Sequence, residues 1–128
     1  MAIKILIVDD SKLARMAVTR ALTALHPDWV RLEASDADGA LQIVKAESPH
    51  VALLDFNMPG QDGLALAAEV RALDPAVRTA VISANHQIEE IERARAAGAA
   101  FLRKPITEAS LREFLDALNL PDTPQGQR

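Results

Sequence analysis

Five short apolar runs alternate along the chain with five segments in which apolar residues recur at helical spacing. A short apolar run bounded by polar or turn residues is typical of a strand that is buried on both faces. Strands that alternate with helices form a parallel sheet with helices on both of its faces. The sequence therefore predicts an α/β fold with five strands, at residues 3–8, 30–32, 51–54, 79–82 and 100–102.

Helix boundaries are marked by capping residues and by proline. Apolar residues recur at i, i+3, i+4 and i+7 from Ala14 to Leu25, which is the pattern of an amphipathic helix. Gly98 is suited to end the fourth helix, because glycine readily adopts the left-handed conformation of a C-cap. The remaining helices are predicted after Ser35 as N-cap, from about Asp62 to the residue before Pro75, from about Gln87 to Ala97, and from Thr107 onward.

The length of 128 residues suits one domain, and 49% apolar residues are enough to fill a single core. Apolar residues at helical spacing continue to Leu118, so we assign residues 1–118 to the domain. Residues 119–128 lack such spacing, and we predict that they form a C-terminal tail or the start of a linker.

Charge and composition exclude several classes of function. The formal net charge of −4 gives no basic surface for direct binding to nucleic acid. The absence of cysteine excludes disulfides and thiol chemistry. The apolar run near the N-terminus is too short for a signal peptide or a membrane span. We therefore expect a cytoplasmic protein without membrane insertion.

Polar side chains stand at the ends of four predicted strands. Asp9 and Asp10 follow the first strand, Asp55 the third, Ser83 the fourth and Lys104 the fifth. In an open parallel sheet, ligands bind outside the carboxyl ends of the strands, near the point where strand order reverses. We therefore expect three carboxylates, one hydroxyl and one ammonium group to converge on one crevice.

Carboxylates that lie so close repel one another, and either a proton or a cation must neutralise them. Mg²⁺ suits this set, because it takes oxygen ligands and often joins one or two carboxylates to a phosphate. A carboxylate beside Mg²⁺ can attack phosphorus, and aspartate is a known covalent phosphoryl acceptor. Lys104 and Ser83 would then donate to the phosphoryl oxygens. The alternative interpretation is structural, with Asp10 or Ser11 acting only as the cap of the first helix.

The same residues carry a resemblance that covers the chain from Ile3 to about Leu118. The segments "ILIVDDS", "LLDFNMPGQDG", "VISA" and "AAFLRKP" resemble the receiver domain of two-component response regulators, in their usual order and spacing. The resemblance implies a flavodoxin-like (βα)₅ three-layer sandwich, with a five-stranded parallel sheet of order 2-1-3-4-5. It implies that Asp55 is the phosphoacceptor. It also implies that Mg²⁺, for which Mn²⁺ can substitute, is bound by Asp9, Asp10, Asp55 and the backbone carbonyl of Asn57.

The resemblance further implies a switch behind the acceptor. Ser83 is the hydroxyl that moves to meet the phosphoryl group, Lys104 is its cationic partner and Phe101 is the aromatic switch residue. A cis peptide bond is implied between Lys104 and Pro105. The sequence departs mildly from the family pattern, because threonine is as common as Ser83 and tyrosine is more frequent than Phe101. Without a hydroxyl, Phe101 has no polar anchor for its two orientations.

The implied function is to accept a phosphoryl group from a sensor histidine kinase or a histidine phosphotransfer protein. The signal would then pass to a downstream target protein through the fourth and fifth helices. Such a domain is no enzyme beyond its own phosphoryl transfer and autodephosphorylation. Three alternatives stay open: a receiver cut from a larger regulator or hybrid kinase, a phosphatase like those of the haloacid-dehalogenase superfamily, and a receiver-like binding module that is not phosphorylated.

Overall fold

The computed structural model describes residues 2–58, 60–84, 88–118 and 120. Within these residues, five strands and five helices alternate, as the sequence predicts. In chain order they are β1 (Lys4–Val8), α1 (Lys12–Leu25), β2 (Val30–Ala34), α2 (Ala37–Glu47), β3 (Val51–Asp55), α3 (Gly63–Leu73), β4 (Arg78–Ser83), α4 (Ile88–Ala96), β5 (Ala100–Arg103) and α5 (Glu108–Ala117).

All strand pairs are parallel, and the sheet has the order β2-β1-β3-β4-β5. Successive residues of each strand point to opposite faces, so the sheet has two apolar cores. The core on one face contains residues of α2, α3 and α4, and the core on the other contains residues of α1 and α5. This three-layer arrangement is the flavodoxin-like (βα)₅ fold that the resemblance implies.

Most strands extend beyond the apolar runs that mark them in the sequence. The third run ends at Leu54, whereas β3 includes Asp55, which pairs in register with Ile82 of β4. β4 likewise ends at Ser83, paired with Arg103 of β5. Backbone hydrogen bonds define these ends and do not depend on side-chain polarity. The site residues at β3 and β4 are therefore held by the sheet itself and not by loops.

Two predicted helix ends differ from those in the structure. Asp36, and not Ser35, caps α2, because its carboxylate accepts a hydrogen bond from Gly39 N at 2.8 Å. α4 ends at Ala96, and Gly98 follows with a positive φ of 77°, as expected of a C-cap glycine. The predicted start of α4 at Gln87 and the predicted tail at 119–128, apart from residue 120, lie outside the described residues.

Gly63 allows α3 to begin directly against the end of β3. A Cβ atom at this position would lie 2.5 Å from the backbone carbonyl oxygen of Asp55, which is closer than real contacts allow. Gly63 N also donates to the carbonyl of Phe56 at 2.9 Å. The helix start and the strand end are thus in backbone contact, and only glycine leaves room for it.

We predict that Gly63→Ala lowers the free energy of unfolding by about 1–3 kcal/mol, the usual cost of overpacking a buried position. Helix propensity alone predicts the opposite sign, a gain of up to about 1 kcal/mol. The control is Ala68→Gly at an exposed position of the same helix, which should cost only about 1 kcal/mol. Urea unfolding measures both variants, and a Gly63→Ala protein more stable than the parent would contradict the close approach.

Candidate functional site

Asp55 lies at the carboxyl end of the central strand β3. The four preceding residues are buried on both faces of the sheet, and Asp55 itself is only 3% exposed. Its neighbour Phe56 still donates to the carbonyl of Ile82 at 2.8 Å, so the backbone remains ordered beyond the carboxylate. A buried carboxylate is costly unless a counter-charge or a hydrogen-bond donor stabilises it. The sheet thus holds the Asp55 carboxylate in a buried position, where it requires a cation or a hydrogen-bond donor.

Asp9 and Asp10 follow β1, the strand adjacent to β3. Asp9 is buried and Asp10 is exposed. The Asp9 carboxylate accepts a hydrogen bond from Ser11 N at 2.9 Å, and the Ser11 hydroxyl caps α1 by accepting from Ala14 N at 3.2 Å. Ser11 is therefore the helix cap, and both carboxylates remain available to the crevice. The capping interpretation and the functional one are compatible.

Carboxylate oxygens of Asp9, Asp10 and Asp55 lie within 4.8 Å of one another. Burial raises the pKa of Asp9, and the negative charges of Asp55 and Asp10 raise it further. The hydrogen bond from Ser11 and the charge of Lys104 oppose this without cancelling it. The ionised form of Asp9 is therefore disfavoured first by burial and then by the neighbouring carboxylates.

Lys104 is the cation that faces this cluster. Its Nζ lies 2.8 Å from Asp55 Oδ1 and 3.9 Å from Asp9 Oδ2. Burial lowers the pKa of Lys104, but the hydrogen bond and charge of Asp55 and the charges of Asp9 and Asp10 outweigh it, so the net shift is upward. Lys104 N also donates to the carbonyl of Ser83 at 3.0 Å, and the following peptide bond, to Pro105, is cis.

One ammonium group leaves the three ionised carboxylates with net negative charge. The 2.8 Å contact between Lys104 Nζ and Asp55 Oδ1 is the closest approach of a cation to this cluster among the described residues. Three convergent oxygen ligands and excess negative charge fit a hard divalent cation such as Mg²⁺. Asn57, whose carbonyl the resemblance adds to this set, is exposed two residues beyond Asp55.

Ser83 and Phe101, the two predicted switch residues, lie on the neighbouring strands β4 and β5. Ser83 ends β4 and is 1% exposed, whereas Phe101 is half-buried in β5. The register pairs Val81 with Phe101 and Ser83 with Arg103, so Val81, Ser83 and Phe101 occupy the same face of the sheet. Phe101 packs against the core that contains α2, α3 and α4. The register thus places Ser83 and Phe101 on the same face of two neighbouring strands, and their role as switch residues stays a prediction.

The two histidines among the described residues have structural contacts and form no ligand set. His50 Nδ1 accepts a hydrogen bond from Lys4 N at 3.0 Å, and His26 stacks on the buried Trp29 with ring centroids 3.9 Å apart. His86 lies outside the described residues. Two contacts of the site escaped the sequence analysis, namely the approach of Gly63 to Asp55 and that of Arg15 to Asp9. The only sequence signals were the Asp-Gly pair before α3 and an arginine in the first turn of α1.

Residues 5–116 match the response regulator receiver domain. The chain belongs to this family. The NarL protein of Mycobacterium tuberculosis is 39% identical over 110 residues, covering 85% of this chain and 51% of that protein. The CheY protein of Rhizobium etli is 31% identical over 119 residues, covering 91% of this chain and 92% of that protein. The solved signal receiver domain of NarL from M. tuberculosis superposes with a TM-score of 0.79 at 38% identity, covering 91% of this chain and 95% of that one.

The receiver domain therefore spans about half the length of some curated relatives, such as NarL, and nearly the whole of others, such as CheY. The family match gives the phosphatase alternative no support. The sequence also disfavours it, since the two acidic residues after β1 are adjacent, whereas haloacid dehalogenases are expected to have Asp-x-Asp there. No helix among the described parts of the chain combines the length and apolar character needed to cross a bilayer.

We predict that metal-free receiver domain loses stability as the carboxylate of Asp9 ionises. Its pKa is raised on folding, so its stabilising contribution is present below the ordinary value of 3.8 and is lost as the pH rises through the folded-state value. Asp9→Asn removes this ionisation and keeps an oxygen that can accept from Ser11 N. The variant should therefore gain stability relative to the parent as the pH rises.

Urea unfolding with a chelator, at several values between about pH 4 and pH 7, measures this difference. The control is Asp38→Asn, at an exposed carboxylate of α2, whose difference from the parent should vary less with pH. A constant difference between the parent and Asp9→Asn over the whole range would contradict the prediction.

Proposed function

We propose that the receiver domain accepts a phosphoryl group on Asp55 with Mg²⁺ bound by Asp9, Asp10, Asp55 and the backbone carbonyl of Asn57. The observation that carries the proposal is the convergence of a buried strand-end carboxylate, two further carboxylates and the ammonium group of Lys104. When bound, Mg²⁺ or Mn²⁺ neutralises charge on the phosphoryl oxygens as they approach the anionic acceptor.

In the transfer step, an Asp55 carboxylate oxygen forms a bond to phosphorus. The phosphorus–nitrogen bond of a phosphohistidine breaks, and the imidazole leaves with the electron pair of that bond. Lys104, which pairs with Asp55 at 2.8 Å before transfer, then donates to a phosphoryl oxygen. The Ser83 hydroxyl donates to another oxygen. Asp55 is held at the strand end throughout, so the partner supplies the phosphoryl group and the domain supplies the geometry.

The donor that suits this chemistry is a sensor histidine kinase or a histidine phosphotransfer protein. The domain acts as a signalling phosphoacceptor that catalyses only its own phosphoryl transfer and autodephosphorylation, and we place it in the cytoplasm. The matched relatives support both a stand-alone regulator, by the 92% coverage of the CheY protein, and a receiver within a longer protein, by the 51% coverage of NarL.

We further propose that α4, β5 and α5 form the surface read by the target protein. Among the described side chains of α4, only Ala94 is fully buried, and the ion pair between Arg93 and Asp62 of the β3–α3 loop is long and exposed. An element with few buried contacts opens or shifts at low cost. Phe101 links this element to Ser83, because it shares the face of the sheet that α4 covers.

The first prediction from this proposal concerns the acceptor. Incubation with acetyl phosphate and Mg²⁺ should add one phosphoryl group to the parent, measured by intact-protein mass spectrometry, and none to Asp55→Asn. The control Asp38→Asn, an exposed carboxylate of α2, should be modified like the parent. An acyl phosphate is cleaved by hydroxylamine. Modification that survives hydroxylamine, or that persists in Asp55→Asn, would contradict the assignment.

The second prediction concerns the switch. Beryllofluoride, a non-covalent mimic of the phosphoryl group, should shift the amide NMR signals of Phe101 and of residues 88–97 in the parent. In Ser83→Ala the shifts should stay near Asp55, because the donor that couples the phosphoryl oxygens to β4 is lost. Ser35→Ala, an exposed serine, serves as the control. If Ser83→Ala transmits the shifts as fully as the parent, the hydroxyl is not the coupling element.

A further inference from the structure

Arg15 joins the ends of two strands from within the first turns of α1. Its Nη1 donates to the backbone carbonyl of Asp9 at 2.6 Å, and its Nε donates to Glu33 Oε1 at 2.9 Å. Only 15% of the Arg15 side chain is exposed, whereas Glu33 on the edge strand β2 is 45% exposed. A mostly buried guanidinium group that makes two short hydrogen bonds is held in one orientation, unlike an exposed arginine side chain.

The carbonyl that Arg15 holds belongs to the peptide group between Asp9 and Asp10. Because a peptide group is planar, fixing its oxygen restricts ψ of Asp9 and φ of Asp10 together. The other side of Asp9 is fixed as well, since Asp9 N donates to the carbonyl of Ala34 at 3.2 Å. The direction in which the exposed Asp10 side chain leaves the backbone therefore depends on the hydrogen bond from Arg15.

Glu33 and Ala34 are consecutive residues at the end of β2, so both the Arg15 side chain and the backbone of Asp9 are bound to this one strand. Ala34 accepts from Asp9 N, and Glu33 holds the guanidinium group that donates to Asp9 O. The guanidinium group stays protonated at any pH that proteins tolerate, and the Asp9 carbonyl is not ionisable, so the hydrogen bond between them does not depend on the charge of Asp9, Asp10 or Asp55. It persists in the metal-free state, in which the carboxylates repel one another most.

We propose that Arg15 is a positioning residue for the cation site. It holds the Asp9–Asp10 peptide so that both carboxylates face Asp55 before a cation binds. The inference rests on the proposed function, because it takes Asp9, Asp10 and Asp55 to be the ligands of Mg²⁺. Mutation of a residue that hydrogen-bonds to a metal ligand and orients it typically lowers metal affinity by a factor of about ten or more.

The test compares Arg15→Met, which keeps an apolar stem without donors, with Arg15→Lys, which keeps the charge but lacks the fork of donors. Mg²⁺ affinity, measured by isothermal titration calorimetry, should fall about tenfold in Arg15→Met and by a smaller factor in Arg15→Lys. Arg20→Gln, at an exposed arginine of the same helix, should bind Mg²⁺ like the parent.

A second readout needs no metal. The amide of Ser11 donates to the Asp9 carboxylate, so its hydrogen exchange in the metal-free protein reports on the loop directly. It should exchange about fivefold faster in Arg15→Met than in the parent, while amides in the buried strand β3 exchange unchanged. Unchanged β3 amides show that the variant has lost local order and not its fold.

The outcomes separate this inference from the proposed function. If the parent binds no Mg²⁺, the proposed cation site is wrong. If the parent binds Mg²⁺ and Arg15→Met binds it equally well, with an unchanged Ser11 amide, the cation site stands and the positioning role is overturned. Should Arg15→Met fail to fold, Arg15→Lys decides by the same two measurements.

Discussion

Repulsion between carboxylates held at one edge of the sheet is the constraint on which this structure depends. Asp9 and Asp55 are buried at the ends of adjacent strands, and Asp10 lies beside them. They cannot move apart, because β1 and β3 pair in register through the centre of the sheet up to Val8 and Leu54. The close packing of both cores keeps these strand ends in place, so the electrostatic cost remains in the site.

Only part of that cost is offset within the chain. The ammonium group of Lys104 pairs closely with Asp55 and more distantly with Asp9, and the backbone amide of Ser11 donates to the Asp9 carboxylate. The raised pKa of Asp9 shows that the compensation is incomplete. A local arrangement that is unfavourable by itself is expected where a site is organised to receive a cation and a phosphoryl group. The incomplete neutralisation of these carboxylates is therefore better explained by a role in binding than by a contribution to stability.

The residues to which the proposed function assigns a response lie on successive strands of the sheet. Asp55 ends β3, Ser83 ends β4, and Lys104 follows β5, with Phe101 on the face that α4 covers. Lys104 N also donates to the Ser83 carbonyl, so the two donors that the proposal assigns to phosphoryl oxygens are linked by backbone. Under the proposed function, a change at Asp55 reaches α4 through the neighbouring strands β4 and β5. The light burial of α4 fits an element whose position can change.

The sequence by itself determined the fold class and the set of reactive side chains. Alternating apolar runs predict a parallel sheet, and parallel strands place their carboxyl ends at one edge, which is where Asp9, Asp55 and Lys104 meet. Their motifs, in order, also predicted the family that the match over residues 5–116 shows.

Only the tertiary structure decided how backbone groups from distant segments meet these side chains. The approach of Gly63 to the Asp55 carbonyl, and the hydrogen bond from Arg15 to the Asp9 carbonyl, join segments whose contact no local pattern encodes. The prediction of Ser35 as the cap of α2 was wrong, because adjacent polar residues have similar capping propensity and the backbone conformation selects Asp36. Side-chain type and spacing are written in the sequence, whereas the positions of backbone carbonyls and amides exist only once the strands and helices have packed.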